Sequence, residues 1–189
     1  LNAMQSFVCD PAMQDQAAGQ PIDLNAFPQS RRLHFQGSGY EYYRPLELRE
    51  VFELLQQYHA TPSTVKLVNG NTSIAIYKRE AYDPKVLIDV SQIVELTELG
   101  YLDDNTGIVV GGGTTVSTLK SFIAEVIQSQ GPVRSKGLVE MEARLERFAG
   151  EQVREVATVA GNIMLVKNNE AEGVPFASDL FTVLATLGA

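Results

Sequence analysis

The residues whose types and spacing could do chemistry lie in two short stretches far apart in the chain. In the first, an apolar run of Val65, Leu67 and Val68 breaks into Asn69-Gly70-Asn71-Thr72 and continues through Ser73 and Ile74. A short strand that stops at a tight polar turn has this pattern. Gly70 permits a positive φ and lets backbone come close to a ligand. Consecutive N–H groups in such a turn can cradle an anion, and Asn71 and Thr72 add side-chain donors at the same place. A pyrophosphate suits this chemistry. An ordinary strand-ending turn uses the same residues, so the stretch taken singly leaves both readings open. The second stretch, Val156-Ala157-Thr158-Val159-Ala160-Gly161-Asn162-Ile163, repeats the logic: small and β-branched residues, then Gly-Asn, then an apolar residue. Ala157, Ala160 and Gly161 leave room for a ligand against the backbone. Two Gly-Asn turns could close on one diphosphate from both sides.

Other chemistries are poorly supplied. No Ser-His-Asp set, paired carboxylates or metal-ligand cluster stands out. His59 has no partner base nearby in sequence and reads as a solvated or dipole-facing helix-end residue. Gly111-Gly112-Gly113 precedes a helix but lacks the Lys-Ser/Thr of an ATP-type loop, so close backbone packing is the favoured reading. Cys9 is the only cysteine, which excludes a disulfide within the chain and a cysteine-ligated cluster built from it. A single thiol suits a reducing compartment. The net charge of −8 argues against a nucleic-acid partner. No apolar run approaches membrane-spanning length, and Leu1 to Gln16 lacks the basic start and apolar core of a secretory signal. The apolar share, 44%, is enough for a core, and 189 residues fit one domain with an appended segment.

The elements that must position the two stretches follow from pattern. Residues 9–32, rich in Ala, Gln, Asp, Gly and Pro, read as a linker. A helix is expected from Arg44, with Pro45 at its first position and Leu48, Val51, Phe52 and Leu55 on one face, ending near Ala60. Val65–Val68 and Val86–Val90 read as strands, and Ser73–Arg79 is ambiguous between strand and helix. A helix between such strands would give parallel pairing. Residues 95–102 and 107–110 read as a hairpin. Thr114 or Thr115 should cap a helix with Val116, Leu119, Ile123, Val126 and Ile127 buried, stopped by Gly131-Pro132. A further helix is expected over 137–148, with Leu138, Met141, Leu145 and Phe148 inward. Residues 164–177 read as a loop. Ser178 should cap a last helix, with Asp179 as a first-turn acid.

LVNGNT at Leu67–Thr72, RFAG at Arg147–Gly150, QVREVATVAGNI at Gln152–Ile163 and SDL at Ser178–Leu180, in this order, resemble the FAD-binding domain of the xanthine dehydrogenase and aldehyde oxidase family, the molybdenum hydroxylases. The resemblance runs from about Tyr40 to the end. It implies an α/β (α+β) fold of the PCMH type, with two α/β lobes, truncated at the C-terminal side. Residues 1–38 would be the end of a preceding iron–sulfur domain and an interdomain linker, and residues 39–189 an incomplete FAD-binding domain. FAD would be bound through Leu67, Val68, Asn69, Gly70, Asn71, Thr72, Ser73, Ile74, Phe148, Thr158, Gly161, Asn162 and Asp179. Phe148 would pack against the flavin as well as, or instead of, the core, and Asp179 would accept from FAD hydroxyls. The whole enzyme would carry a molybdenum cofactor and two 2Fe-2S clusters, pass electrons through the flavin to NAD or oxygen, form a homodimer and lie in the cytoplasm. The isolated chain is not expected to be active. An FAD-dependent alcohol oxidase-type domain and a degenerate interaction domain remain as alternatives.

Overall fold

A computed structural model describes residues 31–72, 83–102, 106–170 and 178–187. The chain enters through a hairpin of β1 (Leu33–Gly37) and β2 (Tyr40–Arg44), joined by Ser38-Gly39. Both loop residues have positive φ, 52° and 81°, as the two-residue turn that matches strand twist requires. β2 then pairs in parallel with β4 (Val86–Asp89), and β4 with β3 (Val65–Val68), giving the order β1-β2-β4-β3. The parallel β3–β4 pairing expected from sequence is present. The ambiguous Ser73–Arg79 segment lies outside the described residues.

α1 (Leu48–Gln57) packs on one face of this sheet, burying Val51 against Val86, Ile88, Val90 and Ile93. It starts later than its apolar period suggests. Arg44 is the last residue of β2, and Pro45 precedes the helix. Glu47 and Glu50 set the true start by a reciprocal capping box, in which Glu50 Oε2 accepts from the N–H of Leu46 at 2.9 Å and of Glu47 at 3.1 Å. The helix ends at Gln57, short of Ala60.

The second half of the chain builds its own core. A small hairpin, β5 (Leu99–Tyr101) and β6 (Ile108–Val110), leads into α2 (Val116–Gln130). Thr115 caps α2, its Oγ1 accepting from Thr118 N at 3.1 Å, and Gly131 ends it at φ 82°. α3 (Lys136–Leu145), α4 (Glu151–Arg154), α5 (Val159–Glu170) and α6 (Asp179–Leu187) follow. Val116, Leu119, Ile123, Met141, Leu145, Phe148, Ala157, Val159 and Leu180 form the buried cluster that joins them. α3 stops at Leu145 rather than Phe148, and the chain turns through Ala149 at φ 47°. Arg154 holds this turn, its Nη1 donating to the carbonyls of Phe148 at 2.9 Å and Ala149 at 2.7 Å.

Two expectations are corrected here. Residues 164–170 are helical, being the continuation of α5, and 171–177 lie outside the described residues. Gly161-Asn162 is not a turn either: it sits in the first turn of α5. Thr158 starts that helix, its Oγ1 accepting from Gly161 N at 3.2 Å, and the Met, Leu, Lys and Glu residues that follow favour its propagation. The mixed sheet, the separate hairpin and the helices make an α+β molecule, as the sequence implies.

Candidate functional site

The first stretch leaves the sheet at the carboxyl end of β3. Val68 pairs with Asp89, and the chain then turns through Gly70 at φ 65° and Asn71 at φ 53°. Two consecutive left-handed residues suit Gly and Asn and few others. The turn is closed by Asn71 N donating to Asn69 O at 2.6 Å. Lys66 Nζ donates to Asn71 Oδ1 at 2.8 Å. The N–H groups of Gly70 and Thr72 have no partner among the described residues. Leu67 is half exposed, while Val68 and Asn69 are partly buried. Ser73 and Ile74 lie outside the described residues.

The second stretch comes directly against this turn. A Cβ added to Gly70 would stand 1.8 Å from the carbonyl oxygen of Val156 and 2.8 Å from its carbon. Glycine is therefore required at position 70 by its φ and by the approach of another backbone. A side chain at position 70 would meet the Val156 backbone first. The glycine triplet completes the junction. A Cβ on Gly112 would lie 3.0 Å from Ala160 Cβ, one on Gly113 would lie 3.3 Å from Asn69 Nδ2, and one on Gly111 would lie 2.3 Å from Leu96 O. The close-packing reading of Gly111–Gly113 is what the structure shows.

Most backbone donors of the second stretch are engaged by the chain itself. Val159 N donates to Thr114 O at 3.0 Å, Ala160 N to Gly112 O at 2.9 Å, and Asn162 N to Thr158 O at 3.0 Å. Val116 N donates to Ala157 O in return, and Thr115 bridges Thr158. Thr158 is buried, its hydroxyl turned to Gly161 N. Asn162 reaches to α6: its Oδ1 accepts from Ser178 Oγ at 2.5 Å and Leu180 N at 3.1 Å. Ser178 Oγ in turn accepts from Phe181 N at 2.9 Å, the cap expected of it. Asp179 is exposed at the start of α6. Phe148 is buried in the helical core. The structure thus brings Asn69–Asn71 together with Val156 and the glycine triplet, while Phe148 and Asp179 are placed by the helices.

Sequence reasoning misses three participants. Lys66 has no motif signal, since an alternating strand position carries a lysine for many reasons. Val156 acts through its carbonyl, which no side-chain pattern reports. Asp89 is buried beside the base of the turn, where Tyr42 Oη donates to Oδ2 at 2.5 Å, Arg44 Nε to Oδ2 at 2.8 Å, and Ser91 N to Oδ1 at 2.9 Å. Burial opposes its ionisation, yet the hydrogen bonds from Tyr42, Ser91 and Arg44 hold its pKa below the ordinary carboxylate value. No group of three metal-ligating side chains occurs among the described residues, and no described helix is long and apolar enough to cross a membrane.

Residues 34–189 match the family model described as the FAD binding domain in molybdopterin dehydrogenase. The chain belongs to that family. Its cofactor is FAD, and the family's other redox groups reside in other domains of the enzymes that contain it. The chain is 33% identical over 129 residues to the xanthine dehydrogenase of Oryza sativa subsp. japonica, covering 67% of this chain and 9% of that protein. It is 29% identical over 155 residues to the indole-3-acetaldehyde oxidase of Arabidopsis thaliana, covering 79% of this chain and 11% of that protein. The chain thus spans about a tenth of the length of these curated relatives. Among solved structures, the carbon monoxide dehydrogenase of Hydrogenophaga pseudoflava superposes with a TM-score of 0.50 at 26% identity, covering 66% of this chain and 39% of that one. Quinoline 2-oxidoreductase from Pseudomonas putida 86 shares the fold, with a TM-score of 0.52 at 20% identity over 70% of this chain and 41% of that one. The residues present fit the cofactor of an FAD-binding domain. Unpartnered N–H groups, a left-handed Gly-Asn pair and a lysine-held amide gather at one turn, as an anionic diphosphate needs.

Proposed function

We propose that the Asn69–Thr72 turn holds the diphosphate of FAD, and that the chain is the electron-transfer flavin domain of a molybdenum-containing oxidoreductase of the xanthine dehydrogenase or aldehyde oxidase type. The observation that carries this reading is the meeting of the two motif stretches, with Gly70 set against Val156. Gly70 and Thr72 would offer backbone N–H groups, and Asn71 its amide nitrogen. Thr158, Gly161 and Asn162 would act by shaping the facing wall, since the N–H groups of Gly161 and Asn162 are already used and Asn162 Oδ1 is held by α6. Leu67, Val68, Asn69, Ser73 and Ile74 would line the approach, Asp179 would accept from FAD hydroxyls, and Phe148 would back the flavin from the core. The bound flavin supplies the redox chemistry; the chain supplies position and electrostatics.

In the whole enzyme, electrons would come from two iron–sulfur clusters and leave to NAD or oxygen. Residues 1–38 would belong to the end of an iron–sulfur domain and a linker, and the enzyme would be a cytoplasmic homodimer. Titration of the purified chain with FAD and with FMN, followed by flavin fluorescence, tests the site. FAD should bind more tightly, because FMN lacks the diphosphate. Equal affinity for the two would defeat the assignment of the turn.

A further inference from the structure

The turn at Asn69–Thr72 carries one feature that a generic phosphate-binding loop does not need. Lys66, four residues before Gly70 on β3, reaches forward so that Nζ donates to Asn71 Oδ1 at 2.8 Å. An ammonium group has donors only, so the amide atom facing it must be the oxygen. The amide nitrogen of Asn71 then points away from Lys66, with both its hydrogens available to another acceptor. Asn71 also stands at φ 53°, outside the ordinary range of an L-residue, so its side chain leaves the backbone in a direction that few residues could reproduce. Without the lysine, the amide could rotate by half a turn and present its oxygen, which repels an anion. A chain with a net charge of −8 offers a diphosphate little general attraction. The local cation and the orientation it imposes therefore matter more here than they would in a basic protein. Asp89, the nearest buried carboxylate along the sheet, is already held by Arg44 and Tyr42.

From this geometry we infer that Lys66 is a positioning residue for the cofactor: it fixes the amide of Asn71 with its NH2 group toward the diphosphate and so sets the preference for FAD over flavins without one. The inference rests on the diphosphate assignment proposed above and deepens it. It concerns Lys66 acting through Asn71, and no direct contact of Lys66 with the ligand is required.

The test measures FAD and riboflavin binding by flavin fluorescence in the unaltered chain and in Lys66→Met, Lys66→Arg, Asn71→Gly and the Lys66→Met/Asn71→Gly pair. Methionine keeps the apolar stem and removes the charge, and glycine accepts the left-handed φ of position 71 without strain. Lys66→Met should weaken FAD about tenfold, the usual worth of one charge-assisted hydrogen bond, and leave riboflavin unchanged. Lys66→Arg should restore most of the loss. In the Asn71→Gly background, Lys66→Met should change FAD affinity by less than about twofold, because two groups acting as one unit are not additive. A merely structural lysine would weaken both flavins alike. Equal losses, full additivity in the double variant, or FAD binding unaffected by Lys66→Met would each overturn the inference while leaving the diphosphate site standing. An unaltered chain that binds riboflavin as tightly as FAD would overturn the diphosphate site itself, and this inference with it.

Discussion

Gly70→Ala tests how rigidly the two motif stretches are joined, and Gly39→Ala is its control. Both glycines are left-handed, at φ 65° and 81°, so an alanine at either pays about 1–2 kcal/mol for its conformation. Around Gly39 a new Cβ meets nothing within 4 Å, so that cost should be the whole effect. At Gly70 the Cβ would stand 1.8 Å from Val156 O, whereas real contacts stay beyond 3.0 Å. The backbones must therefore separate by about 1.2 Å (3.0 minus 1.8). Forcing extra volume into a packed junction costs a further 1–3 kcal/mol or so. Gly70→Ala should thus lose about 2–5 kcal/mol against about 1–2 for Gly39→Ala. At roughly 2–4 °C per kcal/mol for a chain of this size, the extra loss lowers the melting temperature by several degrees. Urea and thermal unfolding of both variants, with FAD titration alongside, give the comparison. FAD affinity should fall at least about tenfold in Gly70→Ala, equivalent to 1.4 kcal/mol, and stay unchanged in Gly39→Ala. Equal stability and equal FAD affinity of the two variants would refute the claim that the turn is pressed against Val156.

Asn162→Ala removes the acceptor for Ser178 Oγ and Leu180 N, so α6 should loosen by about 1–3 kcal/mol, read as faster amide exchange at its first turn. Unchanged exchange there would mean that Ser178 alone suffices. Asp89 has a folded pKa below its unfolded value of about 3.9, so its stabilisation is complete above that pH and disappears as pH falls through the folded pKa. Asp89→Asn should therefore cost about 1–3 kcal/mol at neutral pH, less than a fully buried pair because Arg44 is partly exposed. It should also flatten the loss of stability below about pH 4. An acid limb identical to that of the unaltered chain would assign the effect to another carboxylate.

Legibility in the sequence followed the range of the interactions. β3 was readable to the residue because an apolar run ends at Asn-Gly, and α2 because its stripe, its Thr115 cap and its Gly131 stop are all local signals. The β1–β2 hairpin was missed although Ser38-Gly39 is a fair two-residue turn. Its strands alternate histidine, glutamine, glutamate and arginine with aromatics, and β1 is exposed at every residue but Leu33. The apolar period places the start of α1 three to four residues early because it does not reveal a carboxylate capping the N-terminus, and it places the end about three residues late. Gly161-Asn162 looked like a turn because Gly and Asn are turn residues. Thr158 overrides them by starting a helix, and Asn162 is spent on α6, a partner that spacing alone does not disclose. The contact of Gly70 with Val156 joins residues that no local rule relates.

The two hydrophobic clusters divide the chain cleanly. One draws on residues between Tyr43 and Leu96, the other on residues between Ile108 and Leu184. Each is therefore built from an unbroken run of polypeptide, and contacts of short sequence separation form fast. The turn at Gly70 and the carbonyl of Val156 belong to different runs. On the assignment proposed above, the diphosphate turn would be complete only when the two runs meet at Gly70 and Val156. Cofactor capture would then follow that meeting, and FAD would act as a clasp that draws docked molecules out of a pool of half-assembled ones by mass action. Refolding followed by pulsed amide hydrogen exchange should show both clusters forming at the same rate with and without FAD, while the yield of docked molecules rises with the cofactor present.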